Sequence, residues 1–403
     1  MNCIRKDSFE ISRVSRISRT FLVLSLFITW AWAGKADSSG VESTELYKKI
    51  RSLADKIDGF IDELIPNNPE KAPITRDEFM KKLRENDLQI IHNTNLSCVF
   101  VYSGPLLDYA KIPGMKEAVD DKVQRKLILK KAASFREVNM QEEKLCKMMD
   151  HPNTVRTFFS FSIVPEDYEK TGFSMVWLLQ EYLEVSLPVL PNNPILNKLV
   201  EIDIRTIARD VARGIEYLHS KKIVHLDIKA QNVAGSYSKR EGRIVYKLID
   251  FGFSREIEPG QTSVFLEGMN IGTPPFVSPE IALESVHGYA ADIWCFGFMM
   301  IVLSRIALPE DNAWICLIND LSNNPNLGRK VPMANVFAQF LRGSVELVLP
   351  LRTPVELASF IRGCMQRDGE RRMTIQEVLK HPYLSRYVIS GDPNPENHRM
   401  YAV

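Results

Sequence analysis

The chain has few glycines in its first half, and this scarcity excludes one kind of phosphate site. Between Gly59 and Gly172 only Gly104 and Gly114 occur, and they do not form a closely spaced cluster. A glycine-rich phosphate loop needs several glycines between two strands, because backbone N–H groups must approach the phosphates closely. A phosphate site here would therefore draw more of its affinity from side chains.

The chain also lacks a charge excess and a metal-binding cysteine pattern. Its 51 Lys and Arg and 50 Asp and Glu residues give a formal net charge of +1, so nothing indicates a nucleic-acid-binding surface. Its six cysteines show no metal-ligand spacing. With 45% hydrophobic and 25% charged residues among 403, the composition is that of a globular protein without a bias to disorder.

The N-terminus has the pattern of a targeting segment. Five basic residues precede the apolar run from Phe21 to Trp32, which ends at the small-x-small pattern Ala31-Trp32-Ala33. Because the run is too short to span a bilayer comfortably, we predict that residues 1–33 are a cleaved signal peptide and that the protein is secreted. An uncleaved anchor is the main alternative, since the basic region is long.

Five cysteines remain after removal of such a segment, so they cannot all pair. Cys295 lies in an apolar run and is predicted to be a buried thiol. Cys316 and Cys364 both lie in the C-terminal helical region and are candidates for a bridge in an oxidising compartment. Sequence alone does not determine the pairing, which also involves Cys98 and Cys146.

Residues 34–74 contain an amphipathic helix followed by a linker with three prolines. The opposite face of the helix, over residues 43–65, mixes lysines with acidic residues, which disfavours a membrane surface. We predict that this helix packs against the folded domain or against a partner. Its apolar residues recur at three- and four-residue steps: Leu46, Ile50, Leu53, Ile57, Phe60, Ile61 and Leu64.

The residues that carry chemistry are concentrated between positions 224 and 252. One segment contains Asp227, Lys229 and Asn232, and Asp250 follows after a hairpin. Phosphoryl transfer needs an acceptor for the hydroxyl proton, oxygen ligands for metal ions and a cation near the moving charge. Two carboxylates, an amide and an ammonium group meet these needs.

Together with His225 and Asp250-Phe251-Gly252, these residues resemble the catalytic loop and the metal-binding triplet of the protein kinases. The resemblance implies an α+β, bilobal protein kinase-like fold over residues 75–385. A small β-rich N-lobe without a glycine-rich loop would cover residues 75–180, and a larger helical C-lobe would cover residues 184–385. Residues 386–403 would form a C-terminal tail.

The resemblance also implies roles for these residues. Asp227 would orient and deprotonate the acceptor hydroxyl, and Lys229 would offset charge on the transferred phosphoryl group. Asn232, also a catalytic-loop residue, and Asp250 would ligate the Mg²⁺ or Mn²⁺ that accompanies ATP. Thr273 stands where serine/threonine kinases place a hydroxyl beside the catalytic aspartate. The implied reaction is transfer of the ATP γ-phosphate to Ser or Thr of protein substrates.

The segment from Lys126 to Lys131 resembles the third strand of the small lobe, whose lysine holds the ATP phosphates. We assign this role to Lys130, while Lys131 would face the opposite side of the strand. Glu142 corresponds to the family glutamate that pairs with this lysine, although the interval is shorter than in the family. The alternative is that Glu142 and Glu143 are ordinary exposed charges of a helix.

Further roles follow from the same resemblance. Residues 180–183 resemble the hinge between the lobes, where backbone groups of Glu181 and Leu183 would hydrogen-bond the adenine of ATP. Glu280 would pair with Arg372, and Asp292 would hold the backbone of the catalytic loop. These last three residues are predicted to stabilise the large lobe.

Two departures from the family pattern carry functional predictions. Leu226 stands where the family usually has an arginine that contacts a phosphate on the activation segment, so activity is predicted to be constitutive. The missing glycine loop predicts weaker ATP binding than in a kinase that has the loop.

The apparent signal peptide, the missing loop and the intact carboxylates together resemble the secreted rhoptry kinases of apicomplexan parasites, and among them the subgroup called "with no Gly-loop". Membership implies a dense-granule or rhoptry origin, a place in the parasitophorous vacuole, and phosphorylation of co-secreted proteins, some of them membrane-associated. A pseudokinase serving as a binding or scaffold module is the alternative. A kinase-like enzyme with a glycan acceptor is a third.

Overall fold

In the computed structural model, the described residues form two compact units. Unit 1 contains the described residues up to Lys147 together with Thr157–Tyr182, and unit 2 contains Met148–Arg156 and the described residues from Leu183 onward. The predicted signal peptide, the linker prolines, Cys316 and the C-terminal tail lie outside the described residues. These are 45–64, 76–93, 97–104, 126–164, 172–187, 201–266, 271–273, 276–307, 341–343, 347, 349 and 353–385.

Unit 1 is an antiparallel sheet with three helices. The strand order is β1-β2-β3-β5-β4. The elements, in chain order, are α1 (Glu45–Leu64), α2 (Arg76–Glu85), β1 (Leu88–Asn93), β2 (Ser97–Tyr102), β3 (Leu127–Phe135), α3 (Arg136–Met148), β4 (Thr157–Ile163) and β5 (Phe173–Glu181).

The two faces of this sheet are set by strand alternation. Lys130 on β3 is paired with Leu178 on β5, which in turn is paired with Ser160 on β4, so these three side chains share one face. The next row across the same strands contains Lys131, Trp177 and Phe161 and faces the other way. The sheet therefore separates the two neighbouring lysines, as predicted from the sequence.

Helix α1 packs on the face that carries Lys131. Its Ile50, Leu53, Ala54 and Ile57 are buried in one core cluster with residues of the sheet, and burying a side chain of the size of Ile57 contributes about 1.5–3 kcal/mol. The helix predicted over residues 43–65 thus packs against the sheet of unit 1, which confirms the prediction that it packs against the folded domain.

A buried ion pair joins this helix to the sheet. The Asp58 carboxylate on α1 accepts a hydrogen bond from the Lys131 ammonium, and the two side chains are 12% and 11% exposed. The Lys131 ammonium also lies 5.6 Å from the centroid of the Trp177 ring. A charge so little exposed needs a partner. Helix α1 therefore stabilises unit 1 through this ion pair as well as through its apolar face.

Unit 2 is predominantly helical and contains three small antiparallel sheets among its described residues. Its elements are β6 (Val185–Ser186), α4 (Glu201–Ser220), β7 (Ile223–Val224), a 3₁₀ turn (Ala230–Asn232), β8 (Val233–Ser238), β9 (Arg243–Leu248), β10 (Arg255–Glu256), β11 (Ser263–Phe265), α5 (Pro279–Glu284), β12 (Val286–Gly288), α6 (Tyr289–Ala307), α7 (Val355–Cys364), α8 (Ile375–Lys380) and α9 (Pro382–Ser385).

The core of unit 2 is built around α6. Trp294, Phe296 and Phe298 on this helix are each no more than 1% exposed, and the ring of Phe296 meets Phe360 of α7 edge-on at 5.8 Å. No helix among the described residues is long and apolar enough to cross a membrane. A β-sheet unit and a larger helical unit confirm the predicted α+β class.

None of the four described cysteines forms a disulfide. Cys295 is 1% exposed, which confirms its prediction as a buried thiol. Cys364 is fully buried and free, and burial raises its pKa. The bridge that we considered between Cys364 and Cys316 is therefore not formed at Cys364. Cys98 and Cys146 also form no disulfide.

The predicted pair between Glu280 and Arg372 is confirmed. The guanidinium donates to both carboxylate oxygens, at 2.6 and 3.0 Å. It also donates to the Ala290 carbonyl at 2.7 Å and lies over the Trp294 ring. Arg372 thereby joins the start of α5 to the start of α6.

Candidate active site

The loop that follows β7 is held by a buried carboxylate on α6. The backbone N–H groups of His225 and Leu226 donate to the two oxygens of Asp292 at 2.9 and 2.8 Å. Asp292 is fully buried, and the His219 ring nitrogen lies 2.9 Å from one of its oxygens. The predicted role of Asp292 in holding the loop backbone is confirmed.

This loop presents Asp227 within a ring of hydrogen-bond donors. The Thr273 hydroxyl donates to Asp227 Oδ1 at 2.7 Å. The Lys229 ammonium donates to Asp227 Oδ2 at 2.7 Å and to the Thr273 hydroxyl at 2.6 Å. Asn232 Nδ2 donates to Asp227 Oδ2 at 2.8 Å and to the Asp227 carbonyl at 2.9 Å. The structure thus brings together Asp227, Lys229, Asn232 and Thr273, for each of which the sequence predicted a role of its own.

The arrangement fixes one carboxylate in a single orientation. Asp227 is 4% exposed, and both of its oxygens accept hydrogen bonds, so its rotation is restricted. A carboxylate held in this way can orient a substrate hydroxyl and accept its proton. Lys229 places a positive charge at the same point, and a preorganised charge stabilises a transition state without further reorganisation.

Asn232 and Asp250 lie at the same end of the β8–β9 hairpin. Asn232 directly precedes β8, and Asp250 follows β9 by two residues. The strands are antiparallel with Val233 opposite Leu248, and the Ile249 N–H donates to the Asn232 carbonyl at 2.9 Å. The hairpin register therefore positions the two predicted metal ligands near each other.

Asp250 adopts a backbone conformation that is uncommon for residues other than glycine. Its φ is 66°, and such conformations cost about 1–3 kcal/mol and cluster at functional sites. Its side chain accepts a hydrogen bond from the Gly252 N–H at 3.3 Å. The Phe251 ring that follows is buried against His225 at 5.4 Å, which anchors the turn.

The donor set of this end of the hairpin suits Mg²⁺. Both hydrogen bonds from the Asn232 side chain to Asp227 use Nδ2, so its Oδ1 is the atom able to ligate a cation, together with the Asp250 carboxylate. The described residues contain no cluster of three or more His, Cys, Asp or Glu side chains that could hold a metal. Mg²⁺ commonly uses one or two carboxylates and takes its other ligands from water and substrate phosphates.

Leu226 lies in an apolar cluster. It is 1% exposed and packs in one cluster with Ile257 and Ile271, which lie within the activation segment (residues 250–280), and with Ile281 and Ala291. Its own φ is 65°. An apolar contact thus occupies the place where the family usually has an arginine.

Lys130 and Glu142 form a buried ion pair in unit 1. The Lys130 ammonium donates to the Glu142 carboxylate at 2.7 Å, and the residues are 7% and 3% exposed. The predicted pairing is confirmed across an interval of twelve residues. The alternative, in which Glu142 and Glu143 are ordinary exposed charges, is wrong, because the Glu143 side chain is also only 15% exposed.

The two predicted adenine-binding positions lie at the boundary of the units in sequence. Glu181 is the last residue of β5, opposite Leu127 on β3, and Leu183 is the first residue of unit 2 after that strand. Both residues are partly buried. Gln180, which precedes them, is buried and donates to the Thr157 hydroxyl at 3.1 Å.

The sequence did not predict another buried ion pair, which joins Arg243 on β9 to Asp210 on α4. Arg243 donates to both oxygens of Asp210 at 2.6 and 3.0 Å, and the Tyr246 N–H donates to the same carboxylate at 2.9 Å. Burial raises the pKa of Asp210, and its bonds to Arg243 oppose that shift. The signal available in the sequence was a carboxylate on the apolar face of α4.

Three curated proteins to which the chain is similar all have protein kinase names. The chain is 28% identical to the probable serine/threonine-protein kinase mkcD of Dictyostelium discoideum, over 64% of this chain and 34% of the relative. It is 25% identical to the serine/threonine-protein kinase pak-2 of Caenorhabditis elegans, over 86% of this chain and 62% of the relative. It is 30% identical to the mitogen-activated protein kinase kinase kinase 17 of Arabidopsis thaliana, over 54% of this chain and 52% of the relative.

The chain thus spans from 34% to 62% of the length of these three relatives. Residues 111–384 match the family described as protein kinase domain, and the matched stretch contains β3, α3, the Asp227 loop and most of unit 2. The chain therefore belongs to the protein kinase domain family.

Proposed function

We propose that this protein is a serine/threonine protein kinase that transfers the γ-phosphate of ATP to Ser or Thr hydroxyls of protein substrates. The observation that carries the proposal is the ring of hydrogen bonds in which Thr273, Lys229 and Asn232 hold the Asp227 carboxylate. A protein that only binds nucleotide has no need of a buried carboxylate oriented in this way.

In the proposed mechanism, Asp227 orients the acceptor hydroxyl and takes its proton, while Lys229 offsets negative charge on the transferred phosphoryl group. Asn232 and Asp250 would hold Mg²⁺, which neutralises phosphate charge when bound. Lys130 would contact the inner phosphates, and its ion pair with Glu142 would orient it. Backbone groups of Glu181 and Leu183 would hydrogen-bond the adenine.

Nucleotide binding is proposed to be atypical because the connection between β1 and β2 contains no glycine. Its residues are Thr94, Asn95 and Leu96, so it lacks the glycines that let backbone amides approach phosphates closely in a glycine-rich loop. More of the affinity then comes from Lys130 and the metal ligands. An ATP titration should give weaker binding than in a kinase with the loop, and ordinary tight affinity would contradict this part of the proposal.

Activity is proposed to be independent of phosphorylation. The Leu226 cluster holds the activation segment by apolar packing, which requires no phosphate. Phosphatase treatment of the purified protein should leave its activity unchanged.

We also propose that the protein is secreted and related to the rhoptry kinases, within the subgroup that lacks the glycine loop. The N-terminal pattern of residues 1–33, the glycine scarcity and the intact catalytic carboxylates support this placement. Its substrates would be co-secreted proteins of the parasitophorous vacuole, some of them membrane-associated. N-terminal sequencing of the mature protein tests the proposal, since a chain that retains residues 1–33 would contradict cleavage.

The activity itself is tested with the full chain, radiolabelled ATP, Mg²⁺ and a generic protein acceptor. Asp227→Ala should abolish incorporation, whereas Asp55→Ala should not, because the Asp55 side chain is 54% exposed on α1 and forms only a surface pair with Arg51. Equal incorporation by the wild-type and Asp227→Ala proteins would remove the enzyme interpretation.

The second candidate is a pseudokinase that serves as a scaffold, and the glycine-free connection of β1 and β2 is the feature that favours it. The same assay separates the two candidates, because a scaffold gives no incorporation that depends on Asp227. Transfer to a glycan is a third candidate, and it would appear as Asp227-dependent labelling of glycan in place of protein acceptors.

A further inference from the structure

Helix α3 is tied to the sheet of unit 1 by polar side chains at three successive points. Asn139 Nδ2 donates to the Ser174 carbonyl on β5 at 2.7 Å. Glu142 pairs with Lys130 on β3. Glu143 reaches β4, where it accepts hydrogen bonds from two serines. Each contact joins α3 to a different strand.

The contacts of Glu143 use both of its carboxylate oxygens. Ser160 donates to Oε1 at 3.1 Å, and Ser162 donates to Oε2. The two serines are alternate residues of β4 and therefore face the same side of the sheet. Lys147, one turn along α3, also donates to Oε1 at 2.8 Å and is itself 57% exposed. We call Glu143, Ser160 and Ser162 the serine clamp.

The clamp lies in register with the lysine–glutamate pair. Ser160 is paired with Leu178, and Leu178 is paired with Lys130, so Ser160 and Lys130 occupy one row across three strands. Ser162 lies on the same face two residues further along β4, where it is paired with Val176. Glu142 and Glu143 are consecutive on α3 and project about 100° apart. Fixing Glu143 on β4 therefore sets the rotation of the helix at which Glu142 faces Lys130.

We propose that Glu143 is a positioning residue for Lys130. The serine clamp holds the rotation of α3, and Glu142 in turn keeps the Lys130 ammonium at the place where ATP phosphates bind. This role rests on the proposed function of Lys130 in nucleotide binding. It is built from contacts within unit 1, so it requires no partner protein and no modification.

The first test needs no ATP. The rate at which an amine-reactive reagent modifies Lys130 in the full chain is measured by mass spectrometry for four variants. Glu143→Ala and the double variant Ser160→Ala with Ser162→Ala should raise this rate at least about threefold, as expected for residues coupled in one network. Glu143→Gln keeps an acceptor oxygen and adds an amide donor, and serine hydroxyls can serve as partners for both. It should therefore stay within about twofold of the wild type.

Lys147→Ala is the matched control. It removes the exposed ion pair of Glu143 but leaves both serine contacts in place, so the Lys130 rate should remain within about twofold of the wild type. Unchanged Lys130 rates in Glu143→Ala and in the double serine variant would overturn the proposal. Equal increases in Glu143→Ala, Glu143→Gln and Lys147→Ala would also overturn it, because the effect would then follow the loss of the exposed ion pair between Glu143 and Lys147 instead of the loss of the clamp.

The second test is a double-mutant cycle on the Kd for MgATP. Glu143→Ala should weaken binding at least about threefold in the wild-type background and have no further effect in a Lys130→Ala background, because the clamp acts through that lysine. Additive effects of the two changes would overturn the proposal. A wild-type protein that fails to transfer phosphate while Lys130 reactivity still responds to the clamp would contradict the proposed function, not the positioning of Lys130.

Discussion

Leu226→Ala tests whether apolar packing holds the activation segment. Leu226 is 1% exposed and packs in a cluster with Ile257, Ile271, Ile281 and Ala291. The change removes about three methylene equivalents, each worth about 0.8 kcal/mol, and leaves a cavity, so we expect a loss of about 2–5 kcal/mol in the free energy of unfolding. Leucine and alanine at position 226 must both adopt the same positive φ, so backbone strain does not contribute to the difference in stability between the wild type and the variant.

The assay is urea unfolding of the full chain together with phosphotransfer, before and after phosphatase treatment. Leu226→Ala should lower the denaturant midpoint and reduce phosphotransfer, because the segment between Ile257 and Ile271 loses its anchor. The control is Leu283→Ala, which removes the same atoms from a side chain that is 52% exposed on α5 and should change stability by no more than about 0.5 kcal/mol. Equal stability of the two variants, or loss of wild-type activity after phosphatase treatment, would refute the reasoning.

Two further predictions concern charged groups in each unit. Asp58→Ala should destabilise the protein by about 3–5 kcal/mol, because it leaves Lys131 as an uncompensated buried charge. The same change at the exposed Asp55 should cost no more than about 1 kcal/mol, and parallel urea titrations compare them. In α8, Thr374 and Glu377 form a capping box, so Thr374→Ala should cost about 1 kcal/mol. Hydrogen bonds from Thr374 lower the pKa of Glu377 below its ordinary 4.5. The carboxylate therefore contributes stability that is complete above about pH 4.5 and is lost as the pH falls through the lowered folded-state value. This loss should be smaller in the Thr374→Ala variant, which loses the hydroxyl hydrogen bond to Glu377 but keeps the backbone N–H that donates to the same carboxylate. Unfolding measured across that pH range would show no difference between the two proteins if the box were not formed.

The sequence predicted the helices and strands of the fold better than it predicted the contacts between them. The segment predicted as an amphipathic helix over residues 43–65 is the helix Glu45–Leu64, and the hairpin before Asp250 is β8 and β9. The alternation of a strand was enough to place Lys130 and Lys131 on opposite faces. These features are local, because they depend on residues a few positions apart.

The contacts that were missed join residues far apart in the chain. Asp58 is 73 residues from Lys131, and nothing in the amphipathic pattern of α1 indicates which charge on the sheet it meets. From the sequence, Glu143 could be an ordinary exposed charge of a helix, and only the structure shows that two serines of β4 donate to it. Leu226 could be recognised as a departure from a family pattern, but its apolar surroundings come from four other segments.

The sequence by itself determined which chemical groups stand close together along the chain: the carboxylates, amide and ammonium of residues 227–250, and the face on which each strand residue lies. Only the tertiary structure decided that Asp58 meets Lys131 from 73 residues away, that α1 packs onto the sheet, and that Glu143 on α3 meets two serines of β4. The physical reason is that periodicity and spacing specify direction relative to one element, whereas a contact between elements depends on how their buried faces fit together.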